Sequence, residues 1–325
     1  MRIYFILTGI LFVFSLTIPF ITCTASKNEQ LNNSLTTKAK QEEITTNEKT
    51  DEKVTVFKTS TGEALETDIN EYIIGVVAGE MPASFSPEAL KAQAVAAYTY
   101  LKYINEAKSS SPLYTITDSA ALHQSYVNKE EQKKKWGEDY NYYRSIIENA
   151  VKSTKGEYLA YDGKTAMTVF HAASKIRTNT AEDVWGSAVP YLTSVEAPCK
   201  ETFKAETSFT PDEFKARFEE KGKVEFDDTD IKKWALITQK SEAGYIQKLK
   251  VCKKEFSACE IREILSLPST NFTGEIKNNT FIFTSEGKGH GVGMSQYSAE
   301  YMAEQGKSYK EILMHFYPGT TLEKE

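Results

Sequence analysis

Cysteine and histidine are both scarce in this chain, four of each in 325 residues. Cys23 falls in the N-terminal segment, and Cys199, Cys252 and Cys259 are too few for a disulfide scaffold. A Cys252–Cys259 disulfide stays open if the domain lies outside the cell. His123, His171, His290 and His315 never fall at close spacing, and HExxH, HxH and CxxC are all absent, so no metal site is expected. GxSxG is missing and Cys199 has no neighbouring histidine, which removes the usual acyl-transfer nucleophiles. GxGxxG is missing too, so no dinucleotide cofactor is expected. Positive charge is also in deficit: 39 Lys and Arg against 45 Asp and Glu give a net charge of −6, which argues against nucleic acid as a partner. A polymer ligand would have to be held by specific hydrogen bonds and stacking, and 18 tyrosines supply flat, polar-edged surfaces for that.

What is present begins with the uncharged run Tyr4–Thr22, long enough to span a bilayer. Residues 1–22 read as an anchor or signal segment, an uncleaved anchor being favoured, and 23–53 as a polar, disordered tether. The folded part runs from Val54 to Glu325, outside the cytoplasm. Helical and strand patterns alternate there without a repeat, giving an α+β class with one composite domain of mixed helices and short hairpins. Helices are expected over 129–136, 142–154 and 211–218, and hairpins turning at Asp162-Gly163 and at 242–244.

The most informative stretch is EYIIGVVAGEMPASFSPEALKAQAVAAYTYLKY, residues 71–103. Ile73, Val76, Val77 and Glu80 fall at helical spacing, so an apolar face ends on an acid. Pro82 stops the helix and forces Met81 into extended backbone. Glu80 therefore belongs in the last turn, where exposed carbonyls and apolar neighbours disfavour its anion and raise its pKa. A raised carboxyl is what a general acid needs; a solvated helix-junction glutamate is the alternative. A second helix opens with Ser86 as N-cap and Pro87 at its first position, and buries Leu90, Ala94, Ala97 and Leu101. Lys91 and Tyr98, seven residues apart, share a flank and are expected to face the same cleft as Glu80.

Two more stretches carry polar chemistry. In GKGHGVGMSQY, residues 287–297, four glycines surround His290 and permit close backbone approach. Ser295 and Gln296 then start a helix whose open N–H groups suit a polar ligand edge. In FHAASKIRTNTAEDVWG, residues 170–186, His171 sits at a strand end and Glu182-Asp183 lie beside Trp185, an arrangement shared by sugar rims and by ordinary loops. His123, beside Gln124, reads more readily as a structural histidine than as a ligand.

These stretches, with HQSYVNKEE and HGVGMSQYSAEYMAEQGKSYKEILMHFYPGT, resemble the stage II sporulation protein D family, the SpoIID/LytB domain, from about Val54 to Thr321. The resemblance implies a peptidoglycan lytic transglycosylase that cuts glycan strands already stripped of stem peptides, beside a SpoIIP-type amidase and a SpoIIM-type membrane protein. It implies Glu80, in GEMP, as catalytic acid and base, and assigns Lys91 and His123 to family positions. Tyr98, Gln124, His171, Trp185, His290, Ser295 and Gln296 are then expected around the glycan-binding groove. The chain departs from the family pattern at Tyr98, at Lys175-Ile176 and at Cys199-Lys200. Some relatives bind zinc near the HQ histidine; no cysteine lies near His123, so none is expected here. Two rival readings remain: a non-cleaving glycan binder that recruits or activates an amidase, and a hydrolase using Asp183 or Glu182 as a second carboxylate.

Overall fold

The computed structural model describes residues 53–107, 114–120, 122–226 and 230–325. The anchor expected over 1–22 and the tether after it lie outside the described residues, and Lys53 already opens the first strand. Among the described residues no helix is long and apolar enough to cross a membrane.

The chain enters through a hairpin, β1 (Lys53–Phe57) and β2 (Ala64–Asp68), and a third strand, β3 (Tyr114–Thr117), pairs parallel to β1. Helix α1 (Ile69–Glu80) starts where the Asp68 carboxylate accepts from the N–H groups of Asn70 and Glu71. It is buried on almost every side, Tyr72 through Ala78 being in the core, so it forms the axis of the domain rather than an amphipathic surface helix. Helix α2 (Pro87–Ala107) packs against it. The Ser86 hydroxyl donates to Glu300 Oε1 (3.0 Å), and its N–H to Oε2 (2.7 Å), which ties the start of α2 to a C-terminal helix.

Helices α3 (Lys129–Trp136) and α4 (Tyr140–Ser153) follow, the first opened by an Asn128/Glu131 capping box. Arg144, buried in α4, holds Glu71 of α1 through both carboxylate oxygens (2.8 and 2.9 Å) and Gln132 of α3 at 3.0 Å. Strand β4 (Glu157–Tyr161) does turn at Asp162-Gly163, but its partner β5 (Lys164–Thr165) is only two residues long. The expected second arm leaves that hairpin: β6 (Phe170–His171) pairs instead with β13 (Met294–Ser295). Helices α8 (Gln296–Glu304) and α9 (Tyr309–Phe316) pack on α2, and β14 (Thr321–Lys324) closes on β4.

Between these parts, residues 204–283 build a second hydrophobic cluster. It contains β7 (Lys204–Phe209), α6 (Pro211–Glu220), the sheet β8 (Ala235–Lys240), β9 (Ile246–Val251) and β10 (Lys254–Ser257), then α7 (Ala258–Ile264), β11 (Phe272–Lys277) and β12 (Thr280–Glu286). Phe214 stacks on Phe281 at 4.2 Å in its centre. The architecture is thus mixed α and β with several small sheets, in orders β2-β1-β3, β10-β9-β8, β11-β12-β7, β13-β6 and β14-β4-β5.

One contact decides where the loop before α3 runs. Gly75 and Gly79 occupy one face of α1, and residues 125–127 lie flat against it, with Val127 N donating to Gly75 O (3.2 Å). A Cβ on Gly75 would meet the Tyr126 ring at 2.3 Å. Gly75→Ala gains helix propensity worth up to ~1 kcal/mol, but overpacking at such a clash costs about 1–3 kcal/mol. The variant is expected to be net destabilised by about 1–2 kcal/mol in urea unfolding; unchanged stability would show that the loop is not pressed on the helix.

Candidate active site

Glu80 is the last residue of α1. Met81 leaves the helix in extended backbone (φ −119°, ψ 150°), as the following Pro82 requires. The carboxylate is gripped from two other parts of the chain: Oε1 accepts from the Ser125 N–H (2.7 Å) and Oε2 from the Gln296 amide (3.1 Å). Gln296 is itself held by Gln93 Oε1 of α2 at 3.3 Å. On the helix side, Lys135 donates to Ala78 O (2.7 Å), capping a terminal carbonyl of α1. Burial pushes the Glu80 carboxyl up to about 6; the Ser125 N–H, the Gln296 amide and the Lys135 charge pull the other way without cancelling it. Among the described residues no carboxylate is among the charges acting on it. Glu80 nevertheless keeps partial exposure, so its proton can reach a ligand.

Amide groups surround this acid. Gln93 and Gln124 are fully buried, and Gln93 Nε2 and Gln124 Oε1 have no hydrogen-bond partner among the described residues. Beside Gln296, the ring of Tyr297 packs edge-on between Phe85 (5.1 Å) and Phe203 (4.6 Å). These three partly exposed rings form an aromatic surface that begins one residue after Gln296, of the kind on which sugar rings stack.

The structure brings only some of the expected residues to Glu80. Gln296 reaches it directly. Gln124 stands behind it, donating to Tyr72 Oη (3.2 Å) and Ala97 O (3.3 Å), as a buried brace. His123 is turned to Thr117, whose N–H (3.1 Å) and hydroxyl (2.9 Å) meet its Nδ1. Lys91 and Tyr98 do not face the cleft. Lys91 sits two residues before Gln93, roughly 200° round the helix, where it pairs with Glu88 (2.7 Å). Tyr98 donates to Glu325 (2.7 Å) beside a separate cleft. Both lie where α2 meets the C-terminal elements.

His171 and His290 are also not groove-lining groups. They are 2% and 1% exposed and pin β6 to the glycine-rich loop. His171 Nδ1–H donates to Val292 O (3.1 Å) and its Nε2 accepts from Ser174 (2.6 Å), while His290 Nδ1 accepts from Val292 N (3.0 Å). Burial holds both neutral, pushing His171 down to about 4 and His290 well below the ordinary imidazole value. Ser295 is buried against Ser298 (2.8 Å), and the N–H of Tyr297, the second residue of α8, is taken by Ala172 O (3.0 Å). Trp185, at the end of the short helix α5 (Ala181–Trp185), lies 5.5 Å from the His290 ring and lines a cleft of about 550 Å³ against the second cluster, with Glu182, Asp183 and Gln247. Asp183 accepts from Gln247 there and is no second carboxylate for Glu80. Among the described residues no group of three or more His, Cys, Asp or Glu side chains is gathered to hold a metal ion.

Three contributors escaped the sequence reading: Ser125, Lys135 and Gln93. Gln93 did carry a signal, a lone amide between Leu90 and Ala97 on an otherwise apolar stripe. Ser125 contributes a backbone N–H, which has no signature in side-chain letters. Lys135 is one of three consecutive lysines, and only the fold selects it.

A family model described as "Stage II sporulation protein", SpoIID, matches residues 57–161, which include all of α1 and α2. Stage II sporulation protein D of Bacillus amyloliquefaciens is 38% identical over 274 residues, 83% of this chain and 78% of that protein. Its namesake in Bacillus subtilis (strain 168) is 36% identical over the same shares. An amidase enhancer of Bacillus subtilis (strain 168) is 28% identical over 303 residues, 76% of this chain but 40% of that protein. With identities of this size across most of both chains, the protein belongs to the stage II sporulation protein D family.

Proposed function

We propose that the protein is a lytic transglycosylase that cleaves peptidoglycan glycan strands lacking stem peptides. The observation that carries this reading is the part-buried carboxylate of Glu80, pushed up to about 6 by burial, with no second carboxylate acting on it among the described residues. Glycoside hydrolysis by the usual route needs two carboxylates, one to protonate the leaving oxygen and one to activate water or attack the sugar. Intramolecular transfer needs one. Protonated Glu80 donates to the oxygen of the MurNAc–GlcNAc bond; as the C6 hydroxyl of the same muramic residue attacks C1, the Glu80 carboxylate takes its proton. The product is a 1,6-anhydro end and Glu80 is regenerated protonated. Ser125 N–H and Gln296 hold the anion between the two steps, and the Phe85–Tyr297–Phe203 surface offers stacking to the sugars.

The same reading places the domain outside the cytoplasm, anchored by Tyr4–Thr22, where it acts in septal thinning during sporulation beside a SpoIIP-type amidase and a SpoIIM-type membrane protein. The amidase-enhancer relative favours a second reading, a glycan binder that recruits or activates an amidase without cleaving. Mass spectrometry of products from purified, peptide-free strands separates the two. Anhydro ends are expected; reducing ends would make it a hydrolase, and intact strands a binder.

Glu80→Gln keeps the shape and most hydrogen bonds of the site but can neither give nor take a proton. It is expected to lose at least 10²–10⁴-fold in anhydro-product release while still co-sedimenting with stripped glycan. Cleavage within a few-fold of wild type would remove Glu80 from the mechanism.

The pH dependence has a definite sign. Because the acid must start protonated, kcat/KM should fall as pH rises above about 6. A profile flat from pH 5 to 8 would contradict this. Stability shifts in the same window. A folded carboxyl near 6 lies above its unfolded value, so its contribution is present below that value and is lost as pH rises through about 6. Glu80→Gln escapes that loss, so it should match wild type near pH 4 and exceed it by up to about 2 kcal/mol at pH 7.5 in denaturant titrations.

A further inference from the structure

Helix α2 turns a wall of small apolar side chains to the core, and Gln93 interrupts it. Its neighbours one turn away, Ala89, Leu90, Ala96 and Ala97, are all buried and apolar. Gln93 itself has no exposed surface. Its Oε1 accepts from Gln296 Nε2 (3.3 Å), and the same nitrogen donates to Glu80 Oε2 (3.1 Å). A short relay thus runs from the amide of Gln93 through the amide of Gln296 to the acid.

The direction of the relay follows from chemistry. An ionised carboxylate only accepts, so Gln296 must turn its nitrogen to Glu80 when Glu80 is charged. The second hydrogen on that nitrogen then needs an acceptor, and Gln93 supplies its oxygen. This leaves Gln93 Nε2 buried and without a partner among the described residues. Flipping Gln93 is no cure, because it would set two N–H donors against each other. A buried, unpartnered donor costs stability, and two apolar side chains of like shape would carry no such cost. A polar pair kept against that cost points to function rather than to folding.

What the relay controls is the proton. A Gln296 free to rotate would turn its own oxygen to protonated Glu80 and accept the acidic hydrogen. The proton would then be held inside the protein instead of being offered to a ligand. After transfer, the anion would face an oxygen where it needs an N–H. The other groups at the carboxyl do not replace this donor. Ser125 N–H serves Oε1, Lys135 of α3 acts as a charge, and the Tyr72 hydroxyl of α1 is met by Gln124.

We propose that Gln93 is a positioning residue for the acid. By accepting from Gln296, it holds that amide with its nitrogen towards Glu80 in both protonation states, so the proton stays available for transfer and the anion keeps its donor. This rests on the reading of Glu80 as the group that gives and recovers a proton.

The test uses the full chain as wild type, Gln93→Met, Gln296→Met and the double variant. Carbon-13 NMR follows the Glu80 carboxyl with pH in the absence of substrate, and anhydro-end release from stripped strands gives kcat and KM. In Gln93→Met the Glu80 midpoint should rise by about one pH unit, a hydrogen bond to a charged group being worth roughly tenfold or more. The alkaline limb of kcat/KM should move with it, and kcat should fall roughly tenfold while KM changes little. Gln296→Met should shift the midpoint at least as far. Adding Gln93→Met to it should shift the midpoint no further, since Gln93 acts only through Gln296. Urea unfolding at pH 4, where Glu80 is protonated, should come no earlier in the double variant than in wild type. An unchanged Glu80 midpoint in Gln93→Met would overturn the proposal, as would shifts that add in the double variant. If Gln93→Met does not fold, Gln93→Leu is read against the same two outcomes. A shifted midpoint in a protein whose wild type releases no anhydro ends would keep Gln93 in its role and defeat the transglycosylase reading alone.

Discussion

The structure depends on the packing of residues 125–127 against the glycine face of α1. Without Gly75 and Gly79 the segment could not lie so close, and the Ser125 N–H would not reach the Glu80 carboxylate. That one backbone donor does two things. It lets a carboxylate exist in a buried place, and it leaves the second oxygen to an amide from the far end of the chain. The acid is stabilised just enough to ionise near neutrality, as a group that must both give and recover a proton requires.

The rest of the fold serves this arrangement by rigidity. Helix α1 is enclosed on nearly all sides, Arg144 locks its first turn to α3 and α4, and the pinned histidines His171 and His290 join β6 to the glycine-rich loop that leads into Gln296. The histidines are neutral because they are buried, so they act as fixed hydrogen-bonding spacers between two backbones rather than as proton carriers. The second hydrophobic cluster packs its aromatic residues into an independent centre and meets the first at the seam that holds Tyr245. Tyr245 donates to Ser174 (3.0 Å), which links that cluster to the histidine pair.

What was legible in the sequence follows from local physics. Pro82 ends α1, the helix expected from 211 begins there, and Glu80 stands where α1 stops; each is decided by residues a few positions away. Lys91 and Tyr98 were misplaced because helical phase alone does not say which flank of a long helix meets the acid; the C-terminal elements claimed that side. The hairpin expected after Asp162-Gly163 broke because Phe170 and His171 found a partner more than a hundred residues later, a pairing that no local pattern encodes. His171, His290 and Ser295 carry polar letters, yet they are spent on holding backbone together. The amide of Gln93, by contrast, was visible as a polar break in an apolar stripe.

The account stands on the protonation of one side chain. Carbon-13 NMR of the Glu80 carboxyl, assigned through Glu80→Gln and followed as pH is raised from 3 to 8, measures it without substrate. A midpoint near 6 is the predicted result. A midpoint at or below the ordinary glutamate value of about 4.3 would mean that the carboxylate is solvated and ionised, and would contradict its role as the acid.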